Sequence, residues 1–327
     1  MRYCKHCEKK LNDYCTTCTF CRKKVSEIKI DDKTLKKILG IDDKTLLRFK
    51  EIRRNAISEA KKIGKKNGKI RAIGISGTAR GSMDMAREDS NSEFLLKKAL
   101  DQLKKLGASV ELIPLREYNI QHCRACYSTA NTQCHFYCSC YPKGTPAADD
   151  MTNILYDKIL QADIIVFATP VNNFKLSTLM ATFIDRCISL DGSLAPADLK
   201  DPKNKDINIK HSKFVEIMAD QKIPGSGYLR RFMGKTAGII VTGHEEGASL
   251  VISTLFMTLN NFGMTFPSWS TMYAMASILN PTCSDRTIVR NPAYQSEAQM
   301  LANNTFKQAK LMRKMKTTAW EQDYSSD

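Results

Sequence analysis

The sequence holds no apolar run of membrane-spanning length, so no transmembrane helix is expected. Its opening residues, Met1-Arg2-Tyr3-Cys4-Lys5-His6, lack the apolar centre of a secretory signal, and a cytoplasmic location is the expectation. No internal repeat or low-complexity tract is present. No acid–base dyad or activated nucleophile stands out, and the catalytic residues stay unassigned. Acidic residues are in deficit: 34 Asp and Glu stand against 50 Lys and Arg, a net charge of +16.

What remains is a globular composition. At 327 residues, 43% hydrophobic and 26% charged, the chain can build a full core in one or two domains. Much of the positive charge falls early, at Arg53-Arg54, Lys61-Lys62 and Lys65-Lys66. Such a field favours acidic partners, though a solvated lysine-rich surface explains most of it.

Cysteine is abundant and unevenly placed. Ten of the twelve fall at 4–21 and 123–140, leaving Cys187 and Cys283 alone and best read as buried, inert thiols. Clustered thiols in a reducing compartment point to metal. The first cluster, Cys4-x2-Cys7-x7-Cys15-x2-Cys18-x2-Cys21, carries paired knuckles that suit tetrahedral zinc. Cys15, Cys18 and Cys21, with Cys4 or Cys7 as a fourth ligand, also suit a [4Fe–4S] cluster. The second cluster is Cys123, Cys126, Cys134, Cys138 and Cys140. On its own pattern it reads as zinc, with His122 and His135 as further ligands.

Residues 1–30 are therefore expected to form a metal-binding segment and 31–68 a helical linker, with helices at 31–39 and 42–66. Asp31 or Asp32 and Asp42 or Asp43 are the expected N-caps, Gly40 and Gly68 the stops. The longer helix should pack on the main domain or on a second copy. From residue 69 to 327, β-rich runs alternate with helical patterns. Strands are expected at 70–76, 109–114, 163–169, 236–242 and from 264. Helices are expected at 92–106, 150–161, 176–190, 248–262 and 293–315. The fold class is α/β: a five-stranded parallel sheet in a three-layer doubly wound fold, with cofactor at the carboxyl ends of the strands. The cysteine loop 119–149 and an insertion at 191–233, rich in Pro, Lys and Asp, interrupt the alternation.

The first strand opens into Ser76-Gly77-Thr78-Ala79-Arg80, and Ser90-Asn91-Ser92 begins the next helix. No Gly-Lys-Ser/Thr follows, and the glycines do not fall as G-x-G-x-x-G. Hydroxyls, an Arg and a helix N-terminus suit a single phosphate, and an ordinary βα loop with a capped helix fits the same local pattern equally well. The pattern resembles the phosphate loop of the NADPH-dependent FMN reductases of the flavodoxin-like fold, with Gly81–Glu88 inserted. Tyr118-Asn119-Ile120, Asp149-Asp150-Met151, Thr169-Pro170-Val171, Phe183-Ile184-Asp185-Arg186 and Val241-Thr242-Gly243 are similar to further segments of that family, in order. The resemblance covers roughly residues 69–270. It implies FMN, with its phosphate held by Ser76, Thr78, Ala79, Arg80, Ser90, Asn91 and Ser92. Pro170, Val171, Asn172, Asn173 and Phe174 would line the isoalloxazine, and Thr242, Gly243, His244 and Gly247 its far side. Asn172-Asn173 departs from the family's aromatic-plus-Gly, and Phe174 could supply the stacking ring.

The cysteine loop resembles that of the iron–sulfur flavoproteins, which carry C-x2-C-x2-C and a later Cys. Cys123 and Cys126 match, Thr129 stands at the third position, and Cys134, Cys138 and Cys140 could supply the missing ligands of a [4Fe–4S] cluster. The resemblance thus implies an electron-transferring oxidoreductase. Its donor would be NAD(P)H or an acidic ferredoxin, its acceptor is open, and it would form a homodimer or homotetramer away from membranes. One alternative is a plain NAD(P)H:quinone or FMN reductase with structural zinc. Another is a zinc-knuckle nucleic-acid-binding regulator with a flavin sensor domain. Nucleic acid is disfavoured, because the basic region lacks interleaved aromatics.

Overall fold

Runs of Ile, Val and Ala, short enough for strands, alternate from residue 71 onward with helices that each carry one apolar face. The computed structural model describes residues 2–3, 7, 10–11, 21, 30–63, 67–81, 89–144, 149–218, 227–243, 247–276 and 282–315. Its central sheet contains β1 (Arg71–Ser76), β2 (Ser109–Pro114), β3 (Ile164–Asn172), β4 (Thr236–Gly243) and β5 (Thr271–Met275). All are parallel, in the order β2-β1-β3-β4-β5, the order of flavodoxin-like sheets.

The strands alternate their side chains between two cores, as period-2 geometry requires. Ile165 and Phe167 face one layer, with α5 (Thr178–Cys187) and α7 (Ala248–Asn261). Ile164, Val166 and Ala168 face the other, with α3 (Asn91–Lys105) and α9 (Pro292–Lys314). Arg313 of α9 staples the strand entrances: it bonds Asp163 at 2.7 Å, and Asp163 in turn accepts from the Arg71 amide at 2.8 Å.

A third core lies outside the sheet. Leu35 and Leu39 of α1 (Asp32–Leu39) and Leu46, Phe49 and Ile52 of α2 (Asp43–Ala60) pack on Leu194, Phe214, Val215 and Leu229 of the insertion. Each such side chain contributes about 1.5–3 kcal/mol when buried, so α1 and α2 are firmly docked on the main domain. Arg231 adds polar staples, reaching Glu59 of α2 at 2.8 Å and the Ser193 carbonyl at 2.7 Å. Among the described residues no helix is long and apolar enough to cross a membrane.

Several expectations need correction. Asp31 and Asp42 do cap their helices and Gly40 stops the first in a left-handed conformation, but α2 ends at Ala60, well before Gly68. The fifth strand is Thr271–Met275; the segment at 264–267 makes only a bridge from Thr265 to Thr236. Pro267 has no amide to donate and Trp269 takes φ 55°, so the chain turns before it can enter the ladder. The helix expected at 150–161 opens as a π-turn, Met151–Leu155, before α4 (Tyr156–Gln161). The helix expected at 176–190 is α5 followed by a 3₁₀ turn at Ile188–Leu190, and Leu176 belongs to a short strand instead. Two helices were not foreseen, α6 (Lys205–Ile217) in the insertion and α8 (Thr282–Val289).

His211 of α6 is fully buried, its ring 4.6 Å from that of Phe49, and its Nδ1 has no partner among the described residues. Burial, with the charges of His135 and Arg48, pushes it down to about 3. An unfolded histidine titrates near 6.5. Between those values the unfolded chain binds a proton that the folded chain refuses, so stability is full above about pH 6.5 and falls as the pH drops towards 3. His211→Leu should therefore flatten the loss of thermal midpoint between pH 7 and pH 5. Parallel wild-type and variant curves would refute this.

Candidate functional site

The loops after β1, β3 and β4 meet at the carboxyl end of the sheet. Pro170 pairs with Thr242 across the last rungs of the ladder, and the Gly77 amide donates to Ala168 at 2.8 Å. A Cβ on Gly77 would lie 2.8 Å from Met180 Cβ, so only glycine lets the first loop settle on α5. Ser177, the N-cap of α5, donates to the Gly77 carbonyl at 2.6 Å and accepts from the Met180 amide. Residues 171–176 form a tight hairpin: Val171 pairs Leu176, and Asn173 and Phe174 turn with φ 49° and 60°. Gly247, at φ +120°, packs on the backbone of Phe174, where a Cβ would sit 3.0 Å from its Cα.

Phe174 is 56% exposed beside this junction. Thr242 is buried and Gly243 packs on Val171, so the residues expected on both sides of a flat ring do come together. His244 lies outside the described residues.

The residues expected on a phosphate are not equivalent. Ser90 precedes α3 without capping it through its side chain; its Oγ lies 2.9 Å from Ser92 Oγ. Among the described residues no side chain caps the amides of the first turn, the arrangement that favours an anion. Thr78 accepts from the Arg80 amide at 3.1 Å, which leaves its own hydroxyl hydrogen to donate. Ala79 and Arg80 are exposed. Ser76 instead spends its hydrogen on Glu93 at 2.9 Å. Glu93 is buried, which raises its pKa, but bonds from Arg116, Lys97 and Ser76 outweigh this and lower it. Asn91 accepts from Arg290, and Arg286 and Arg290 both hold Asp89. Sequence reasoning missed Glu93, Arg116, Asp89 and the two arginines of the α8 region, because only the fold brings them to this loop.

The cysteine loop is closed at its base by a buried ion pair. Arg186 is 1% exposed and Asp149 3%; their two contacts are both 2.7 Å. Arg186 also donates to the Gln121 carbonyl at 2.8 Å, while Asp149 accepts from the Gln121 amide at 3.1 Å. Asp150 closes the same neck, accepting from the Asn119 amide at 2.7 Å. Burial raises the Asp149 pKa, but the Arg186 bonds outweigh it and the net shift is down.

Within the loop, Cys126 Sγ lies 3.1 Å from Cys140 Sγ, and Cys140 also bonds Cys138. The bond from Cys140 pulls the Cys138 thiol below its ordinary value, helped by Arg186 and opposed by burial. Lys203 of the insertion donates to Cys126 at 3.2 Å. Cys123 is half-buried, and burial raises its thiol. Cys134 is buried beside Ser193 and is pushed up to about 11. Burial also raises the Cys187 thiol. The side chain of Cys283 is outside the described residues, as are Cys4, Cys15 and Cys18; Cys7 and Cys21 are half-buried.

Thiols that touch one another and face Lys203 and Arg186 are a donor set suited to thiolate ligation. Among the described residues no group of three or more His, Cys, Asp or Glu is arranged to hold a metal ion. His135 is already engaged at both ring nitrogens, with Ser139 at 2.9 Å and Asn208 at 3.3 Å.

Residues 70–200 match the family model described as NADPH-dependent FMN reductase. An iron-sulfur flavoprotein of Archaeoglobus fulgidus is 30% identical over 96 residues, 29% of this chain and 42% of that protein. A second iron-sulfur flavoprotein from the same organism is 26% identical over 184 residues, 56% of this chain and 70% of that one. The crystal structure of RosB with bound 8-demethyl-8-formylriboflavin-5'-phosphate superposes with a TM-score of 0.52 at 18% identity, covering 76% of this chain and 82% of that one, a likeness of fold.

Arg186→Met would strand the Asp149 carboxylate in the interior at a cost of about 3–5 kcal/mol. The pair's contribution is present above the unfolded carboxylate value and is lost as the pH falls through the depressed folded value. Urea denaturation at pH 7 should show the full loss, shrinking towards acid. A variant as stable as wild type at pH 7 would contradict the burial argument.

Proposed function

We propose that this chain, whose residues 70–200 match the family model described as NADPH-dependent FMN reductase, is an FMN-dependent oxidoreductase with NAD(P)H as electron donor. Bound FMN would supply the redox chemistry, accepting electrons as a pair and releasing them singly or together. The observation that carries the reading is the junction of three loops beside the uncapped start of α3.

The amides of the first turn of α3 and the hydroxyls of Thr78, Ser90 and Ser92 would bind the phosphate, and Arg80 would add a charge from the rim. Ser76 has a different part. It satisfies the buried Glu93, and with Arg116 keeps that carboxylate from repelling the phosphate. The hairpin at 171–176 and Gly243 would orient the ring, with Phe174 placed to exclude water from one side. Asn172 stands where the resemblance puts an aromatic residue, and Asn173, at the hairpin tip with φ 49°, where it puts glycine.

The cysteine loop is read as the ligand set of a [4Fe–4S] cluster, from Cys126, Cys138, Cys140 and Cys123 or Cys134. The engagement of both His135 nitrogens favours all-thiolate ligation over a zinc site that uses that histidine. Such a cluster would pass electrons onward one at a time, and the acceptor stays open. The name shared by the archaeal relatives supports this assignment.

Anaerobically purified protein should show flavin bands on a broad brown background, both bleached by dithionite. Flavin bands alone would leave a plain reductase and remove the cluster. A colourless protein that binds no added FMN would overturn the whole reading. Thr78→Val and Ser92→Ala should each weaken FMN binding about tenfold, roughly 1.4 kcal/mol, since each removes one charge-assisted hydrogen bond. Fluorescence titration with FMN checks this, and unchanged affinities would move the phosphate elsewhere.

A further inference from the structure

The insertion meets the cysteine loop through reciprocal contacts. Thr132 donates to the Asn208 carbonyl at 2.5 Å, and His135 contacts the Asn208 side chain. Asn208 in turn donates to the carbonyls of Pro202 and Asn204, which fixes the turn before α6. Asp198 braces the same turn, accepting from the amides of Lys200 and Asp201. This turn presents Lys203. Its Nζ donates to Cys126 Sγ at 3.2 Å and to the Gln133 carbonyl at 3.0 Å, and it also bonds Cys140. Gln133 Nε2 answers by donating to the Lys203 carbonyl at 2.8 Å. Backbone and side chain of Lys203 are thus fixed against the same short segment.

No carboxylate among the described residues pairs with the Lys203 ammonium, while its backbone amide donates to Asp201 at 3.2 Å. Its acceptors are two sulfurs and a carbonyl. Its ammonium is therefore held by geometry against the sulfur pair, with no acidic partner of its own among the described residues. The lysine also comes from outside the loop it serves. That gives the insertion a task which its composition did not reveal.

We propose that Lys203 is a positioning residue of the cysteine loop, seating the sulfurs of Cys126 and Cys140 and raising the reduction potential of the cluster they would hold. The assignment rests on the iron–sulfur reading above. The physical reason is simple: one-electron reduction adds negative charge to the cluster, and a fixed cation nearby stabilises the more negative state more than the less negative one.

The test uses the full chain, purified anaerobically and reconstituted with iron and sulfide. The cluster midpoint is read by optical and EPR titration with dithionite in wild type, Lys203→Gln and Lys203→Arg. Lys203→Gln should lower the equilibrium constant for one-electron reduction about tenfold, a fall of ~59 mV. Lys203→Arg should restore most of it. Iron retained by wild type and Lys203→Arg but lost from Lys203→Gln would also support the seating role. A Lys203→Gln cluster with wild-type iron content and potential would overturn the proposal, as would equal iron loss from both variants. A wild-type protein that takes up no iron would overturn the cluster reading itself, and this assignment with it.

Discussion

Arg186 and Asp149 form a bidentate pair with almost no exposure to water. Desolvating two charges is expensive, and their attraction offsets it only when the geometry is good and the remaining donors and acceptors are filled. Here they are filled. Arg186 also reaches the Gln121 carbonyl and Thr152, and Asp149 also takes the amides of Gln121 and Thr152. The pair therefore does more than neutralise itself. It ties the two ends of a long polar loop to one another and to α5, which is packed on the sheet. Without such a neck, a loop of this length would have little reason to hold one shape. The position of every cysteine in it depends on that closure.

The second support is the accessory layer. Helices α1 and α2 bury their apolar stripes against the insertion rather than against the sheet, and the insertion in turn lies on the cysteine loop. Arg231 joins all three: it pairs with Glu59, donates to Ser193, and stacks over the ring of Phe136 at 4.0 Å. The two stretches that break the β/α alternation thus account for each other. One carries the thiols, and the other shields one side of them and supplies a cation.

The sheet was legible because its strands are short, apolar on both faces and bounded by good caps. The loop after β1 drew the phosphate expectation because hydroxyls, Arg80 and the start of a helix occur in sequence. The fifth strand was misplaced because Met264, Phe266 and Pro267 supply apolar content without a donor where the ladder would need one. Helix α6 was hidden for a different reason. Its buried face includes Asn208 and His211, which interrupt the apolar period, and both are there to bond or pack against distant partners. The bond of Ser76 to Glu93 was hidden for the same kind of reason, since Glu93 and Arg116 approach it only in the folded chain. Local pattern reports what a segment can do by itself, while a buried polar network is specified by residues far apart in the chain.

Helix α5 links the two candidate centres. At its start, Ser177 bonds the first loop through Gly77 and caps the helix that follows the hairpin at 171–176. At its end, Arg186 closes the neck of the cysteine loop. A helix rises 1.5 Å per residue, so these anchor points are separated by roughly 14 Å of rigid rod. The spacing between the proposed flavin cradle and the thiols is then set by backbone geometry and not by loop conformation. Met180, Phe183 and Ile184 hold that rod to the sheet through the core. A small change in how α5 sits would move the loop after β1 and the cysteine neck together, since its polar ends hold both while its middle is plain apolar packing.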